Sequence, residues 1–383
     1  MDFAFNDEQQ ELRGAARSFL ADHSGSEQVR KAMQSELGFD SEVWGQIGAE
    51  LGWTSVSIPE EYGGLGLGYV ELVALLEIMG ESLLCAPFFS SVCLAANAVL
   101  AAGSEDQKRE LLPSLAEGQR TGTLAYTEAS GRWDLDAIAT TAARQGDEFI
   151  LSGHKRFVPD GHSADLLVVA ARSEGSEGRE GISLFALPAE TAGISRQALP
   201  TMDQTRRQAD IHLENVRVPA TALLGEEGAS GPALEKTLSL AAVALSAEQV
   251  GGAQRCLDLT VDYAKERVQF GRPIGSFQAI KHKCADMMVK VESARSAAYY
   301  ASCIAAEDGD ELATVASISQ AAASDAYFEC AADALQIHGG VGFTWEYDIH
   351  LYFKRARSSA VFLGDGAYHR EKVARLMGLD DNA

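Results

Sequence analysis

Two segments in the last third of the chain decide the fold. They are Arg267-Val-Gln-Phe-Gly-Arg-Pro-Ile-Gly-Ser-Phe-Gln278 and Gln336-Ile-His-Gly-Gly-Val-Gly-Phe343. Each segment combines polar side chains that can bind an anion with glycines that leave room for a ligand. The candidate binding residues of the two segments are Arg267, Gln269, Phe270, Gln278, Gln336, Gly339 and Gly340.

The side chains of these segments could pair with an anion and contact an aromatic ring. Arg267 can give a diphosphate a forked, charge-assisted hydrogen bond, and Phe270 offers an aromatic face. Gly339 and Gly340 permit backbone N–H groups to approach phosphate oxygens closely. The alternative for Arg267 is a solvated arginine at a helix end, because it closes a charged cluster. The occurrence of Arg267 in one pattern with the later pair Gly339 and Gly340 favours the role in anion binding.

The spacing of apolar residues divides the chain into three parts and predicts an α+β fold. Residues 1–118 and 231–383 have helical periodicity, whereas residues 119–230 contain short, strand-like runs. No helical pattern separates these runs, so an antiparallel sheet or barrel is favoured over a parallel sheet. The predicted strands lie within 149–153, 165–171, 182–187 and 211–218. Helix caps are predicted at Asn6 or Asp7 and at Ser104.

Composition excludes several classes of function. The net charge of -23 argues against nucleic-acid or anionic-membrane partners, because these need clustered cations. The six cysteines are scattered without a Cys-x-x-Cys pair, which predicts free thiols and no metal site. There is no apolar run long enough to span a bilayer and no basic leader ahead of an apolar stretch, so a cytoplasmic protein is expected.

Nearly the whole chain resembles the acyl-CoA dehydrogenase family. Besides the two opening segments, the resemblance rests on Ile58-Pro-Glu-Glu-Tyr-Gly-Gly64, Glu105-Asp-Gln-Lys-Arg-Glu-Leu-Leu-Pro113 and Glu214-Asn-Val-Arg-Val-Pro219, in this order. It implies a helical domain, a central β domain and a C-terminal four-helix bundle. It also implies an FAD cofactor, an acyl-CoA substrate and electron transfer to an electron-transfer flavoprotein. In this family the two opening segments bind the pyrophosphate and adenine of a flavin held mainly by a neighbouring subunit, which implies that the seven candidate residues of those segments contact FAD.

The chain departs from the family pattern where the flavin ring and the thioester lie. Trp133 stands where the family usually has a small serine, and Pro159 replaces a threonine, which removes a hydroxyl and an N–H. Leu363 occupies the usual position of the catalytic glutamate. The alternative base position of a branched-chain subset falls near Ala241. The catalytic residue is therefore unknown from sequence.

Glu248 is one candidate for a replacement base. It continues the apolar stripe of Leu234, Leu238, Ala241 and Leu245, so its carboxylate should be desolvated and its pKa raised. The alternative is a structural glutamate paired with an arginine or lysine. Asp365, His338 and His369 are interpreted as structural residues, with Asp365 in a turn-capping role.

The resemblance implies a subunit that lacks the base and works with a homologous partner in an α2β2 assembly. Such assemblies in bacteria act on steroid side chains and other bulky CoA thioesters. Two alternatives stay open. One is a self-sufficient homotetrameric dehydrogenase with Glu248 as base, and the other is a non-catalytic assembly subunit that binds CoA esters.

Overall fold

The structure is a computed structural model that describes residues 5–379. The chain divides into two compact units. The first contains residues 1–31, 69–84 and 242–383, and the second contains residues 32–68 and 85–241. The long helix α7 (Gly231–Glu266) contributes residues to both units.

Helices dominate the first unit, as the periodicity predicts. In chain order the helices of the described residues are α1 (Asp7–His23), α2 (Ser26–Gln34), α3 (Ser41–Gly45), α4 (Tyr69–Glu81), α5 (Asn97–Ala102), α6 (Glu105–Ala116), α7, α8 (Gln278–Ala306), α9 (Leu312–His338), α10 (Ile349–Ser359) and α11 (Gly366–Leu376). The C-terminal helical bundle is confirmed. It consists of three long helices, α7 to α9, followed by the shorter α10 and α11.

Both predicted helix caps are present. The Asn6 side chain accepts a hydrogen bond from the Gln9 N–H at 2.8 Å, and the Gln9 side chain accepts one from the Asn6 N–H at 3.0 Å. Ser104 and Gln107 form the same reciprocal pair at the start of α6. Each capping box satisfies two backbone donors that a helix start leaves without a partner.

Ion pairs and close backbone contacts fix the helices of the first unit. The Glu77 carboxylate on α4 accepts hydrogen bonds from Arg13 at 2.9 and 3.0 Å and from Arg295 at 3.2 Å. Burial raises the pKa of Glu77, but the two guanidinium groups outweigh burial and hold it below its ordinary value. A Cβ atom on Gly80 or Gly251 would overlap a backbone carbonyl of the facing helix. Glycine therefore allows α4 and α7 to pack with their backbones in contact.

The second unit contains the eight-stranded sheet. Its strands are β1 (Gly122–Ala125), β2 (Thr141–Gln145), β3 (Glu148–Pro159), β4 (Leu166–Ser173), β5 (Ile182–Pro188), β6 (Ile194–Ala198), β7 (Gln208–Pro219) and β8 (Leu223–Leu224). They lie in the order β6-β7-β3-β2-β4-β5-β8, with β1 beside β4. Its apolar face buries Phe149, Phe185 and Ile211 completely.

The sheet is mostly antiparallel, as predicted, with one difference. β4 pairs in parallel with β1 through Gly122–Ala125 and with β2 through Thr141 and Ala142. β1 and β2 therefore follow each other along the same edge of β4, separated by the loop 126–140. Sequence pattern did not reveal them, because β1 has only four residues and all four are buried, so it shows no alternation.

Candidate flavin site

A tight hairpin at the end of α7 carries the first motif. β9 (Val268–Gln269) pairs with β10 (Arg272–Pro273), and the two residues between them have positive φ, 52° at Phe270 and 78° at Gly271. Two positive φ angles define a type I′ turn, which matches the twist of antiparallel strands. Glycine adopts this conformation readily, but a phenylalanine there costs about 1–2 kcal/mol.

The aromatic ring of Phe270 projects from this turn. It is 93% exposed and its edge contacts Phe277 at a centroid distance of 6.2 Å. The Arg272 guanidinium lies 4.2 Å from the Phe277 ring centroid, so the cation covers that ring and not Phe270. Apart from this contact with Phe277, the Phe270 ring is in solvent, although its backbone conformation is strained. Phe270 is therefore suited to contact a ligand or a second chain.

Arg267 connects this hairpin to α7. Its N–H donates to the Tyr263 carbonyl at 2.9 Å, and its carbonyl accepts from the Ile274 N–H at 2.8 Å. The backbone of Arg267 is thus fixed at both sides while its side chain is exposed. The side chains of Gln269 and Gln278 are exposed as well.

The second motif ends α9. Gly339 has φ 63° and ψ -143°, and residues Gly339–Phe343 form a short 3-10 helix. A Cβ atom at Gly339 or Gly340 would meet no atom within 4 Å, so the space above both residues is open. Gln336 is exposed one turn earlier. The absence of side chains here leaves the backbone accessible to a ligand, which fits the predicted approach to phosphate oxygens.

Tyr263 brings the two motifs together. Its ring stacks on His338 at a centroid distance of 4.3 Å, and its hydroxyl donates to the His338 carbonyl at 3.4 Å. Tyr263 lies one turn before Arg267, and His338 directly precedes Gly339, so both motifs belong to one surface. Sequence analysis missed Tyr263. Its only signal is its place one helical turn before the motif arginine.

This surface fits the nucleotide end of FAD. It offers one guanidinium, three carboxamides, two unobstructed glycines and an exposed aromatic ring. When FAD is bound, Arg267 and the glycine backbone would hold the diphosphate, and Phe270 would lie against a ring.

His338 has the structural role expected for it. Its Nδ1 lies 2.7 Å from the Ala334 carbonyl, and burial lowers the pKa of its imidazole.

The two positions that the resemblance relates to the flavin ring, Trp133 and Pro159, lie in the second unit. Trp133 is half-buried in the loop between β1 and β2. Pro159 is buried at the end of β3, and its carbonyl accepts a hydrogen bond from the Thr123 hydroxyl at 2.7 Å. Pro159 has no N–H and no hydroxyl, so it cannot donate a hydrogen bond to a ring.

A buried ion pair that sequence analysis missed fixes the start of the same loop. The Lys155 ammonium donates to Glu128 at 2.6 Å, and Glu128 also accepts from the Thr140 N–H and hydroxyl at 2.9 and 2.8 Å. Burial lowers the pKa of Lys155 to about 8. Burial raises the pKa of Glu128, but Lys155 and Thr140 reverse the effect and hold it below its ordinary value. The pair was missed because a lysine within a strand pattern is usually on the solvent face.

Leu363, which the resemblance places at the usual position of the base, is buried with 6% exposure. Its carbonyl lies 3.1 Å from Nε2 of His369, whose pKa burial lowers to about 4. Asp365 accepts a hydrogen bond from the Tyr368 N–H at 2.8 Å and caps α11, the capping role expected for it. The side chain at this position is apolar and cannot accept a proton.

Glu248 is buried with 7% exposure, as the apolar stripe of α7 predicts. Its carboxylate accepts a hydrogen bond from Arg355 of α10 at 2.7 Å, and both side chains are almost inaccessible. Ala241, near which the resemblance places the alternative base, is fully buried. The structure therefore gives Glu248 the arginine partner that the structural interpretation requires.

Within residues 5–379 no helix has the length and apolarity needed to cross a bilayer. The same residues contain no cluster of His, Cys, Asp or Glu side chains able to hold a metal ion.

Three family profiles match consecutive parts of the chain. They are the N-terminal, middle and C-terminal domains of acyl-CoA dehydrogenase, at residues 6–119, 123–216 and 231–378. Members of this family are FAD-dependent oxidoreductases that act on the CH–CH bond of acyl-CoA.

Individual proteins resemble the chain over nearly its full length. Acyl-CoA dehydrogenase IpdE2 of Mycolicibacterium smegmatis is 37% identical over 97% of this chain and 98% of its own. The ChsE4-ChsE5 complex from Mycobacterium tuberculosis has a chain with a TM-score of 0.90 at 28% identity, with 99% of this chain and 100% of that chain covered. A variant of the Tcur3481-Tcur3483 steroid ACAD gives a TM-score of 0.87 at 31% identity, with 97% and 98% covered. The chain belongs to the acyl-CoA dehydrogenase family.

Proposed function

We propose that this chain is the subunit without a catalytic base in a heteromeric FAD-dependent acyl-CoA dehydrogenase. One observation supports the proposal: the candidate surface has exposed polar side chains and two unobstructed glycines, whereas the positions that the resemblance gives to the base, Leu363 and the neighbourhood of Ala241, are apolar and buried. In addition, Pro159 has neither an N–H nor a hydroxyl with which to donate a hydrogen bond to a flavin ring. This division predicts that the reactive ring and the base belong to a partner chain.

Each retained residue has a role at the partner's cofactor. Arg267 pairs with the diphosphate charge, and the backbone at Gly339 and Gly340 approaches the phosphate oxygens. Gln269, Gln278 and Gln336 give and accept hydrogen bonds at the adenine and diphosphate, and Phe270 packs against a ring. These contacts hold the cofactor and leave its reactive end to the other subunit.

FAD, when bound, supplies an acceptor for the hydride from the β-carbon of the acyl-CoA. A glutamate of the partner would remove the α-proton, giving a trans-2-enoyl-CoA, and an electron-transfer flavoprotein would take the electrons. This chain contributes binding and orientation, which alone can account for several orders of magnitude in rate. The similarity to a two-chain complex and to a steroid ACAD supports a bulky acyl group, such as a steroid-derived one, as substrate.

The experiment compares the chain produced alone with the chain co-expressed with each acyl-CoA dehydrogenase homologue of its own organism in turn. We expect the isolated chain to lack flavin absorbance and activity, and the co-purified pair to contain FAD and to be bleached by its acyl-CoA. The proposal is refuted by an isolated chain that binds FAD and oxidises an acyl-CoA at a rate typical of the family.

A self-sufficient enzyme with Glu248 as base is the second candidate. The burial of this carboxylate favours it, since desolvation makes a carboxylate a stronger base. The Arg355 guanidinium at 2.7 Å opposes it, because a paired cation stabilises the ionised form and weakens the base. The ion pair makes the structural role the better account of Glu248.

A further inference from the structure

A second feature of the first unit is an exposed group of aromatic residues beside the glycine pair. Phe343 is 71% exposed, Trp345 63% and Tyr347 37%. All three lie in the short connection between α9 and α10, and we call them the aromatic shelf. Large aromatic side chains exposed together are a mark of interaction sites, because their burial releases much free energy.

The shelf is held in a fixed position by the rest of the unit. Arg30 of α2 donates to Asp348 at 2.6 Å and to the Tyr347 carbonyl at 3.2 Å. Tyr347 also contacts Tyr263 edge-to-face, at a centroid distance of 6.2 Å. Since Tyr263 joins the two nucleotide-binding motifs, the shelf and the proposed FAD surface are continuous.

Two cations flank the indole of Trp345. The Arg30 guanidinium lies 5.4 Å and the Lys354 ammonium 5.2 Å from its ring centroid. Arg30 has Asp348 as its counter-ion, whereas no carboxylate of residues 5–379 pairs with the Lys354 ammonium. His350 supports the indole from the protein side at 5.0 Å. The arrangement presents an aromatic residue next to a positive charge without a counter-ion.

We propose that the aromatic shelf is the protein–protein contact by which this chain recognises its partner subunit, with Trp345 as the central residue and Lys354 facing an acidic side chain of the partner. The inference rests on the proposed function. A partner whose FAD tail lies on Gly339 and Gly340 must bring its own surface over the adjoining shelf. Tryptophan and arginine are the residues that most often dominate the energetics of such contacts, and an ordered support lowers the entropy lost on binding.

The test measures association of the co-expressed pair after separation and mixing. Trp345→Ala should raise the Kd about tenfold or more, and Phe343→Ser should act in the same direction. Lys354→Glu should weaken association more than Lys354→Gln, because it places like charges opposite each other. Met202→Ala is the matched control, since Met202 is 54% exposed in the other unit. It should leave the Kd unchanged.

The outcomes separate this inference from the proposed function. If the wild-type chain binds no partner, the proposed function fails and the shelf assignment fails with it. If the wild-type pair forms and both aromatic variants leave its Kd within twofold, the shelf assignment alone is wrong. It is also wrong if the variants abolish only self-association of this chain, because the shelf would then serve a second copy. The two aromatic residues are exposed, so circular dichroism of each variant should match the wild type.

Discussion

The buried ion pair of Glu248 and Arg355 permits a test that separates a structural carboxylate from a catalytic one. The perturbations are Glu248→Leu, Arg355→Met and the double variant. The two side chains are 9% and 5% accessible, so either single change breaks a buried ion pair. Breaking a buried pair in this way costs roughly 3–5 kcal/mol, whereas replacing both charges by apolar groups is often nearly neutral.

We therefore expect each single variant to lose about 3 kcal/mol or more of unfolding free energy. The double variant should recover most of that loss, which gives a coupling energy of about 3 kcal/mol in a double-mutant cycle. Urea unfolding of the isolated full-length chain, followed by far-UV circular dichroism, measures these differences. Turnover of the co-expressed pair containing the double variant should stay close to that of the wild type.

The same variants define the result that refutes the reasoning. If Glu248 is the base, the pair containing the double variant will fold, bind FAD and fail to oxidise an acyl-CoA. Glu248→Gln is the conservative control, because it retains the shape of the side chain and removes its basicity. Single variants that cost less than about 1 kcal/mol would show that the pair is no more than a surface-like contact.

Three further predictions concern the strained turn at Phe270, the buried imidazole of His369, and Leu363, which the resemblance places at the position of the base. Phe270→Asn should raise the unfolding free energy of the isolated chain by up to about 1 kcal/mol, because asparagine tolerates a φ of 52°. The same change should weaken FAD retention by the pair. Equal retention would contradict the proposed contact between the Phe270 ring and FAD. Burial, and to a lesser extent the charge of Lys372, lower the pKa of His369 from 6.5 to about 4. Between pH 6.5 and pH 4 the imidazole is therefore protonated in the unfolded chain but not in the folded one, so the unfolding free energy falls as the pH drops through this window. His369→Gln should flatten that fall by up to about 3 kcal/mol in urea titrations from pH 7 to pH 4, and an unchanged slope would show that His369 does not cause it. Leu363→Glu should give the isolated chain no activity with acyl-CoA, since the ring would still be absent; turnover above that of Leu363→Gln would contradict the division of labour.

Sequence alone predicted much of the fold because its strongest signals are local. The capping boxes at Asn6 and Ser104 depend on residues three apart, and the long helices repeat one apolar stripe. β1 and β2 escaped prediction because they are short and their pairing with β4 is a tertiary contact. The local sequence pattern of a strand does not show which distant strand will pair with it.

The same distinction between local and long-range features applies to the candidate site. The motif around Arg267 and the glycine pair indicated a nucleotide surface, but the sequence did not show that Tyr263 joins them by stacking on His338. Likewise the apolar stripe predicted the burial of Glu248, while its partner Arg355 lies 107 residues away. In both cases the sequence failed to predict a contact between side chains that are far apart along the chain. Residue type alone does not show which of many possible charged or aromatic partners a side chain will contact.

The number of FAD molecules in the assembled pair tests the central claim most directly. Flavin absorbance after denaturation, divided by the amount of each chain from amino-acid analysis, gives this number without any assumption about the substrate. If this chain holds only the tail of its partner's cofactor, the ratio is one FAD for each pair of unlike chains. A ratio of two, with each polypeptide housing its own ring, would contradict the account.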